Sequence, residues 1–232
     1  MKSLYDLPHS YLISRSNSFV LDLKEYYRLR APTYDALYHR DDRKQELNEA
    51  AEIIEEIFRG KEALEIACGT GYWTERIAQT AKSVFASDIN QSMLDIAKSR
   101  SYPGNNVMFT REDFYHLNPE KKFESLFAGF IWSHIPLQEL DDFIALMNSY
   151  VKSNGMLVFM DNSFVEGSST PVSSVDESGN SYQTRKLPDD QEFSIIKNFP
   201  SEEFLIRRLH DKGKSLNFIR LKYWWIIHYL NL

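Results

Sequence analysis

Short apolar runs alternate with amphipathic stretches through most of the chain. Leu47, Ile53, Ile54, Ile57 and Phe58 recur at helical spacing, and Gly60 follows as a stop signal. Ala63 to Cys68 is a largely apolar run that reads as a buried strand; Gly69-Thr70-Gly71 turns the chain, and a helix starts over Trp73 to Ala78. A second apolar run, Ser83 to Ser87, ends in Asp88 and leads into a helix carrying Leu94, Ile96 and Ala97. Val107 to Thr110 follows a Pro103-Gly104-Asn105-Asn106 turn as a third strand, and Phe123 to Phe130 reads as a fourth. Leu140, Phe143, Ile144, Met147 and Val151 then trace one helix face, closed at Asn154-Gly155, before a fifth strand over Met156 to Met160. Strands alternating with helices predict right-handed crossovers and a parallel sheet.

The pattern changes after Asp161-Asn162. Residues 163–190 are rich in Ser, Gly, Asp and Pro, and lead into a predicted hairpin of Tyr182 to Leu187 against Glu192 to Ile196. A variable loop is the plainer reading of this insertion, taken as 163–198. Ser201 reads as an N-cap with acids in the first turn, Leu205 and Leu209 continue that helix, and Gly213 stops it. Leu216 to Tyr223 and Trp224 to Leu230 read as two final strands in succession. At the other end, residues 1–20 show no clear periodicity and read as a loose arm.

The 232 residues suffice for one α/β domain with a full core, so the whole chain, 1–232, is read as a single domain. The net charge is −6 and no basic stripe appears, which gives nucleic-acid binding no electrostatic support. The single cysteine, Cys68, excludes a disulfide framework and a CxxC metal or iron–sulfur site. Apolar runs fall far short of the ~20 residues of a membrane span, and the N-terminus lacks the charged-then-apolar pattern of a secretory signal. A soluble cytoplasmic protein is expected.

The chemistry concentrates at the glycine turn. Glycine there reaches positive φ without a Cβ clash and lets a ligand approach the backbone, at the sheet edge where open α/β folds bind ligands. Asp88 follows Gly71 at close to the ~20-residue spacing of an acid that bonds a ribose. A phosphate-bearing dinucleotide needs GxGxxG, and a P-loop needs Gly-Lys-Ser/Thr; neither is present, so a cofactor without phosphate fits better. An ordinary strand–turn–helix junction is the bland alternative.

The stretch Glu65-Ile66-Ala67-Cys68-Gly69-Thr70-Gly71 resembles the nucleotide-binding motif of class I S-adenosylmethionine (SAM) dependent methyltransferases, with Ala67 in place of the first glycine. Tyr26-Tyr27-Arg28-Leu29-Arg30-Ala31-Pro32-Thr33-Tyr34-Asp35 is similar to the segment that caps the cofactor in many small-molecule members. Trp132-Ser133-His134-Ile135-Pro136 resembles a Leu-Ser-His-Val-Pro found after the fourth strand in a bacterial group of them. The resemblance covers roughly residues 25–230. It implies a Rossmann-like three-layer sandwich with a seven-stranded mixed sheet, order 3-2-1-4-5-7-6 and strand 7 antiparallel. Residues 1–45 would form an arm and cofactor cap, and 163–198 an insertion that covers the substrate.

For the cofactor, SAM, the resemblance implies contacts from Glu65, Ala67, Cys68, Gly69 and Gly71, from Trp73 and Thr74 just beyond the turn, and from Gly129 and Phe130. Tyr27 and Arg30 would hold the methionine carboxylate, Asp88 the ribose, and Met93, Asp113 and Phe114 the adenine, with Ile89 a further cofactor contact. Met93 serves equally well as a core residue, Asp113 as a solvated loop acid, and the tyrosine-rich segment as a surface helix. His134 is the candidate catalytic residue, because imidazole titrates near neutrality; a helix-start histidine bonded to backbone is the alternative. Tyr34, Trp132 and Asp161 are candidates to meet a small-molecule acceptor. Asp161-Asn162 looks like the metal-binding pair of catechol-type enzymes, but Ser133 and His134 stand where those carry another Asp, so no metal is expected. A non-catalytic SAM-binding module and an NAD-linked oxidoreductase are the alternative functions. The acceptor and the oligomeric state are not legible.

Overall fold

The computed structural model describes residues 17–232, with side chains from residue 23 onward. The arm expected over 1–20 therefore lies mostly outside the described residues; Asn17 already opens helix α1, Asn17–Arg30. A 3-10 helix, Ala31–His39, and a short turn at Asp41–Arg43 lead into α2, Lys44–Phe58. The central unit then runs β1 (Glu62–Ile66), α3 (Tyr72–Ala78), β2 (Ser83–Asp88), α4 (Gln91–Ser99), β3 (Val107–Arg111), β4 (Phe123–Gly129), α5 (Leu140–Ser149) and β5 (Val151–Asn162). It is followed by β6 (Ser174–Val175), β7 (Ser181–Lys186), β8 (Glu192–Ile196), α6 (Glu202–Leu209), β9 (Gly213–Arg220) and β10 (Trp224–Asn231).

Seven strands form one sheet in the order β3-β2-β1-β4-β5-β10-β9. The first five are parallel: Leu64 pairs with Phe85 on one side and with Leu126 on the other. β10 runs antiparallel to both β5 and β9. This is the 3-2-1-4-5-7-6 order, with β9 and β10 as sixth and seventh strands of the sheet.

Alternation along each strand splits the core into two layers. Ala63, Val84, Phe127 and Val158 face α2 and α3, against Ile54, Phe58 and Ile77. Leu64, Leu126, Phe159 and Ile227 face α5 and α6, against Phe143, Met147 and Leu205. Both faces of the central strands are thus covered, which explains why those strands read as continuous apolar runs rather than alternating ones. Each fully buried side chain of this size contributes about 1.5–3 kcal/mol.

The expected helix through Val151 ends earlier. Val151 belongs to β5, where it pairs with Phe123 before the register shifts to Ser125 opposite Met156. Gly155 sits inside that shifted segment rather than closing a helix. A Cβ on it would meet Val151 Cγ1 at 2.5 Å and the Glu124 carbonyl at 2.8 Å. Gly213 likewise opens β9, and α6 has already ended at Leu209. Ser201 caps α6, accepting from the Phe204 N–H at 3.1 Å.

The hairpin in the insertion is present, with Tyr182 opposite Ile196 and Lys186 opposite Glu192. β6 extends it to a separate three-stranded sheet. Tyr26 of α1 packs with Leu187 and Ile195, so the N-terminal helix and the hairpin form one apolar unit. Among the described residues, no helix is long and apolar enough to cross a membrane.

Candidate active site

The glycine turn, Asp88 and Gly129 end β1, β2 and β4 on the same sheet edge. A cavity of about 260 Å³ opens there, lined by Ala67, Gly69, Asp88, Ile89 and Met93 on one side. Asp113, Phe114, Gly129, Phe130, Tyr27, Tyr34 and His134 also line it.

The turn is held in a left-handed backbone. Ala67 lies at φ 50°, Gly69 at 56° and Gly71 at 78°. The two glycines serve different ends. A Cβ on Gly69 would meet nothing within 4 Å, whereas one on Gly71 would sit 2.6 Å from Tyr102 Oη and 2.9 Å from Ala97 Cβ. Gly69 faces the cavity; Gly71 lets α4 pack against the turn. Phe130, at φ 60°, is a second strained non-glycine residue on the cavity wall.

Asp88 accepts from the Gly69 N–H at 2.9 Å through one oxygen and from the Asn90 N–H at 2.7 Å through the other. Asp88 lines the cavity. Burial raises its carboxyl to about 6, against the pull of the Asn90, Gly69 and Ile89 N–H groups. Glu65, behind the turn, is raised by burial to about 8, and its Oε2 has no hydrogen-bond partner. Cys68, Trp73 and Thr74 pack in or beneath the turn as buried residues rather than lining the cavity. Thr74 Oγ1 and Trp73 Nε1 are also unpartnered.

His134 is buried with both ring nitrogens engaged. Its Nδ1 lies 2.6 Å from the Ile196 carbonyl, which can only accept, so Nδ1 carries the hydrogen. Nε2 is then the acceptor, and the Tyr27 hydroxyl, 2.8 Å away, donates to it. Burial, with the Lys197 ammonium nearby, pushes the imidazole down to about 3, so the ring is neutral.

A second cavity, of about 270 Å³, lies across Tyr27, Tyr34 and Phe130, which line both. Arg30 lines this second cavity and not the first. Asp161 and Trp132 line neither. Asp161 is fully buried, with Lys197 Nζ at 2.9 Å from Oδ1 and the Ser133 N–H at 2.9 Å from Oδ2. Burial pushes the Asp161 carboxyl up, but the Lys197 ammonium and the Ser133 N–H are among the groups that together more than offset it, and the carboxyl lies below its ordinary range. Trp132 turns into the core, edge-on to Phe159 at 5.1 Å and Trp225 at 6.0 Å.

Several residues of the site carried no signal in the sequence. Arg100 donates to the Thr70 carbonyl at 2.7 Å, pairs with Glu75 at 2.8 Å and also pairs with Asp35. Thr70 bonds Asp35 in turn, which ties the glycine turn to the N-terminal cap. Lys197, Arg43 and Arg185 likewise reach the site from distant segments.

Residues 63–155 match the methyltransferase domain family. The DhpI-SAM-HEP complex is 26% identical with a TM-score of 0.76, over 93% of this chain and 99% of that one. That fold-wide match joins the glycine turn and Asp88 on one cavity. Over residues 63–155 the chain is similar to methyltransferase domains. A demethylmenaquinone methyltransferase of Staphylococcus aureus is 31% identical over 111 residues, 45% of this chain and 44% of that protein. A malonyl-[acyl-carrier protein] O-methyltransferase of Ilyobacter polytropus is 32% identical over 87 residues, 37% of this chain and 31% of that protein. The chain thus aligns with less than half the length of either relative. The first cavity fits SAM on its own terms: the Asp88 carboxylate on its wall, a Gly69 that leaves open space, and apolar faces from Ile89, Met93 and Phe114.

Proposed function

We propose that this chain transfers the methyl group of SAM to a small-molecule acceptor by in-line displacement. The observation that carries this reading is the shared wall. Tyr27, Tyr34 and Phe130 border both the cavity at the glycine turn and its neighbour, so a donor in the first and an acceptor in the second would meet across them. SAM supplies a methyl carried on a sulfonium; the chain's contribution is to align the reacting groups and exclude water, which can be worth ~7–11 kcal/mol.

In this reading Asp88 takes the ribose hydroxyls, Asp113 and Phe114 meet the adenine, and Ile89 and Met93 cover its face. Glu65 lies behind the turn and does not line the cavity, and burial raises its carboxyl so that it is protonated near neutral pH. His134 is better suited to positioning than to proton removal. Its Nε2 is already occupied by the Tyr27 hydroxyl, and burial disfavours its protonated form. It would hold Tyr27 at the junction of the two cavities.

The test has two parts. Calorimetric titration with SAM and with S-adenosylhomocysteine should show binding of both, weakened at least about tenfold in Asp88→Ala, the loss of a charge-assisted hydrogen bond. Release of S-adenosylhomocysteine should then be followed with a panel of small acids, amines and phenols. Absence of binding by either nucleoside would overturn the site. Binding without turnover of any acceptor would favour a non-catalytic SAM-binding module.

A further inference from the structure

The second cavity has a charge opposite to that of the molecule. The chain carries a net charge of −6. Yet Arg30, Arg40, Arg43, Arg185 and Lys197 all line this cavity, and among the described residues no Asp or Glu does. Arg40 is paired with Asp42 at 2.9 Å and Lys197 with Asp161 at 2.9 Å. Among the described residues, Arg30, Arg43 and Arg185 have no carboxylate within 4.0 Å.

Their remaining contacts are neutral and leave donors free. Arg30 bonds the Tyr26 hydroxyl. Arg43 donates to Ser168 Oγ at 2.9 Å and lies 4.5 Å from the centre of the Tyr223 ring. Arg185 donates to Thr170 Oγ1 at 3.0 Å and to Gln183 Oε1. The Nε groups of Arg43 and Arg185 are buried with no partner. Burial lowers both guanidinium groups from their ordinary range, as it does the Lys197 ammonium. Partly buried cations without a counter-charge are costly to fold around, and a planar guanidinium fork suits an oxyanion better than any other ligand.

These cations come from three parts of the chain: the end of α1, the turn before α2, and the hairpin insertion. Arg30 also lies 5.6 Å from the centre of the Tyr34 ring, which belongs to the wall shared with the SAM cavity. An anion held here would be next to the methyl donor.

Resting on the methyl-transfer reading above, we propose that the acceptor is a small organic acid, held in the second cavity by its oxyanion on Arg30, Arg43 and Arg185. A cavity of about 270 Å³ takes a metabolite-sized acid and leaves no room for a folded partner. His134, neutral and occupied by Tyr27, fits an acceptor that arrives already ionised and brings no proton for the ring to take.

The probes are inorganic phosphate and acetate, titrated separately into protein saturated with S-adenosylhomocysteine. Binding is read by calorimetry and by thermal shift at constant ionic strength. At least one probe should bind wild type, and its affinity should fall at least about tenfold in Arg185→Gln and in Arg43→Gln, the loss of one charge-assisted hydrogen bond. S-adenosylhomocysteine affinity should stay unchanged in both variants. A response to phosphate alone specifies a tetrahedral oxyanion; a response to acetate specifies a carboxylate. No binding of either probe, or equal binding in both variants, overturns the proposal. Because Arg185 also braces the insertion, Arg43→Gln provides the second, independent variant should Arg185→Gln fail to fold. Loss of S-adenosylhomocysteine binding in wild type would instead strike the methyl-transfer reading, so the two failures are distinct.

Discussion

The buried Asp88 carboxylate makes cofactor binding pH-dependent in a range where few other groups titrate. Its carboxyl titrates at about 6 in the folded chain, raised by burial from an ordinary 3.8. Ribose hydroxyls donate to the ionised form. At pH 7 about nine-tenths of Asp88 is ionised and at pH 5 about one-tenth, so affinity for S-adenosylhomocysteine should fall about tenfold between them. At pH 6, binding should expel about 0.5 proton. The stability of the ligand-free chain moves the other way. A carboxyl raised in the folded state stabilises it below the unfolded value, and that stability is lost as pH rises through 6. The difference amounts to roughly 3 kcal/mol at pH 7. Calorimetry from pH 5 to 8, in two buffers of different ionisation enthalpy, reads affinity and proton release together. The ligand's own amino group, near ~8, does not interfere between pH 5 and 7. Glu65, at about 8, contributes any slope that persists in Asp88→Ala. A wild-type affinity that changes less than about threefold between pH 7 and 5, or an Asp88→Ala slope equal to that of wild type, would refute the reasoning.

Other perturbations separate binding from folding. Gly71→Ala should cost more than about 2 kcal/mol in urea unfolding, combining left-handed strain with overlap onto Ala97. Gly69→Ala carries only the strain, about 1–2 kcal/mol, and should instead weaken S-adenosylhomocysteine binding because its methyl points into open cavity. Lys197→Met should cost about 3–5 kcal/mol by stranding the fully buried Asp161, with part recovered by adding Asp161→Asn; a loss under about 1 kcal/mol would show the pair to be dispensable. His134 titrates at about 3 when folded against an ordinary 6.5. The unfolded chain therefore takes a proton first as pH falls below 6.5, and this ring alone should lower stability by ~2 kcal/mol between pH 6.5 and 5. The difference between wild type and His134→Phe, measured across that range, isolates it from the opposite trends of Glu65 and Asp88.

How much of this was legible in the sequence depends on how local each feature is. The central strands declared themselves because both faces of β1, β4 and β5 are covered, which forces continuous apolar runs. Val151 misled because an apolar residue four positions after Met147 continues a helix face as readily as it opens a strand. Only its pairing with Phe123 decides, and no local pattern encodes that pairing. Trp132 misled differently. Its position just past β4 suggested a cavity wall, but the 3-10 turn at Trp132–His134 aims the indole into the core and the imidazole toward Tyr27.

The cofactor side and the acceptor side of the site contrast for the same reason. Gly69 and Asp88 end adjacent parallel strands, so the chain brings them together through one short crossover and their spacing carries the signal. The acceptor side is assembled from α1, the turn before α2 and the hairpin insertion, each supplying one or two cations. Taken singly, Arg30, Arg43 and Arg185 look like the solvated charges found on any surface helix or strand. What distinguishes them is the absence of a carboxylate partner among the described residues together with partial burial, and both are properties of the assembled fold. The methionine-carboxylate role suggested for Arg30 illustrates the point. Tyr27 and Arg30 sit one turn apart on α1, close enough to share a ligand by spacing alone, yet Tyr27 borders both cavities and Arg30 only the second. One helical turn is enough to move a charge from the wall of one cavity to that of the other. The sequence motif therefore marks the first cavity, and the second is legible only in the electrostatics of the assembled fold.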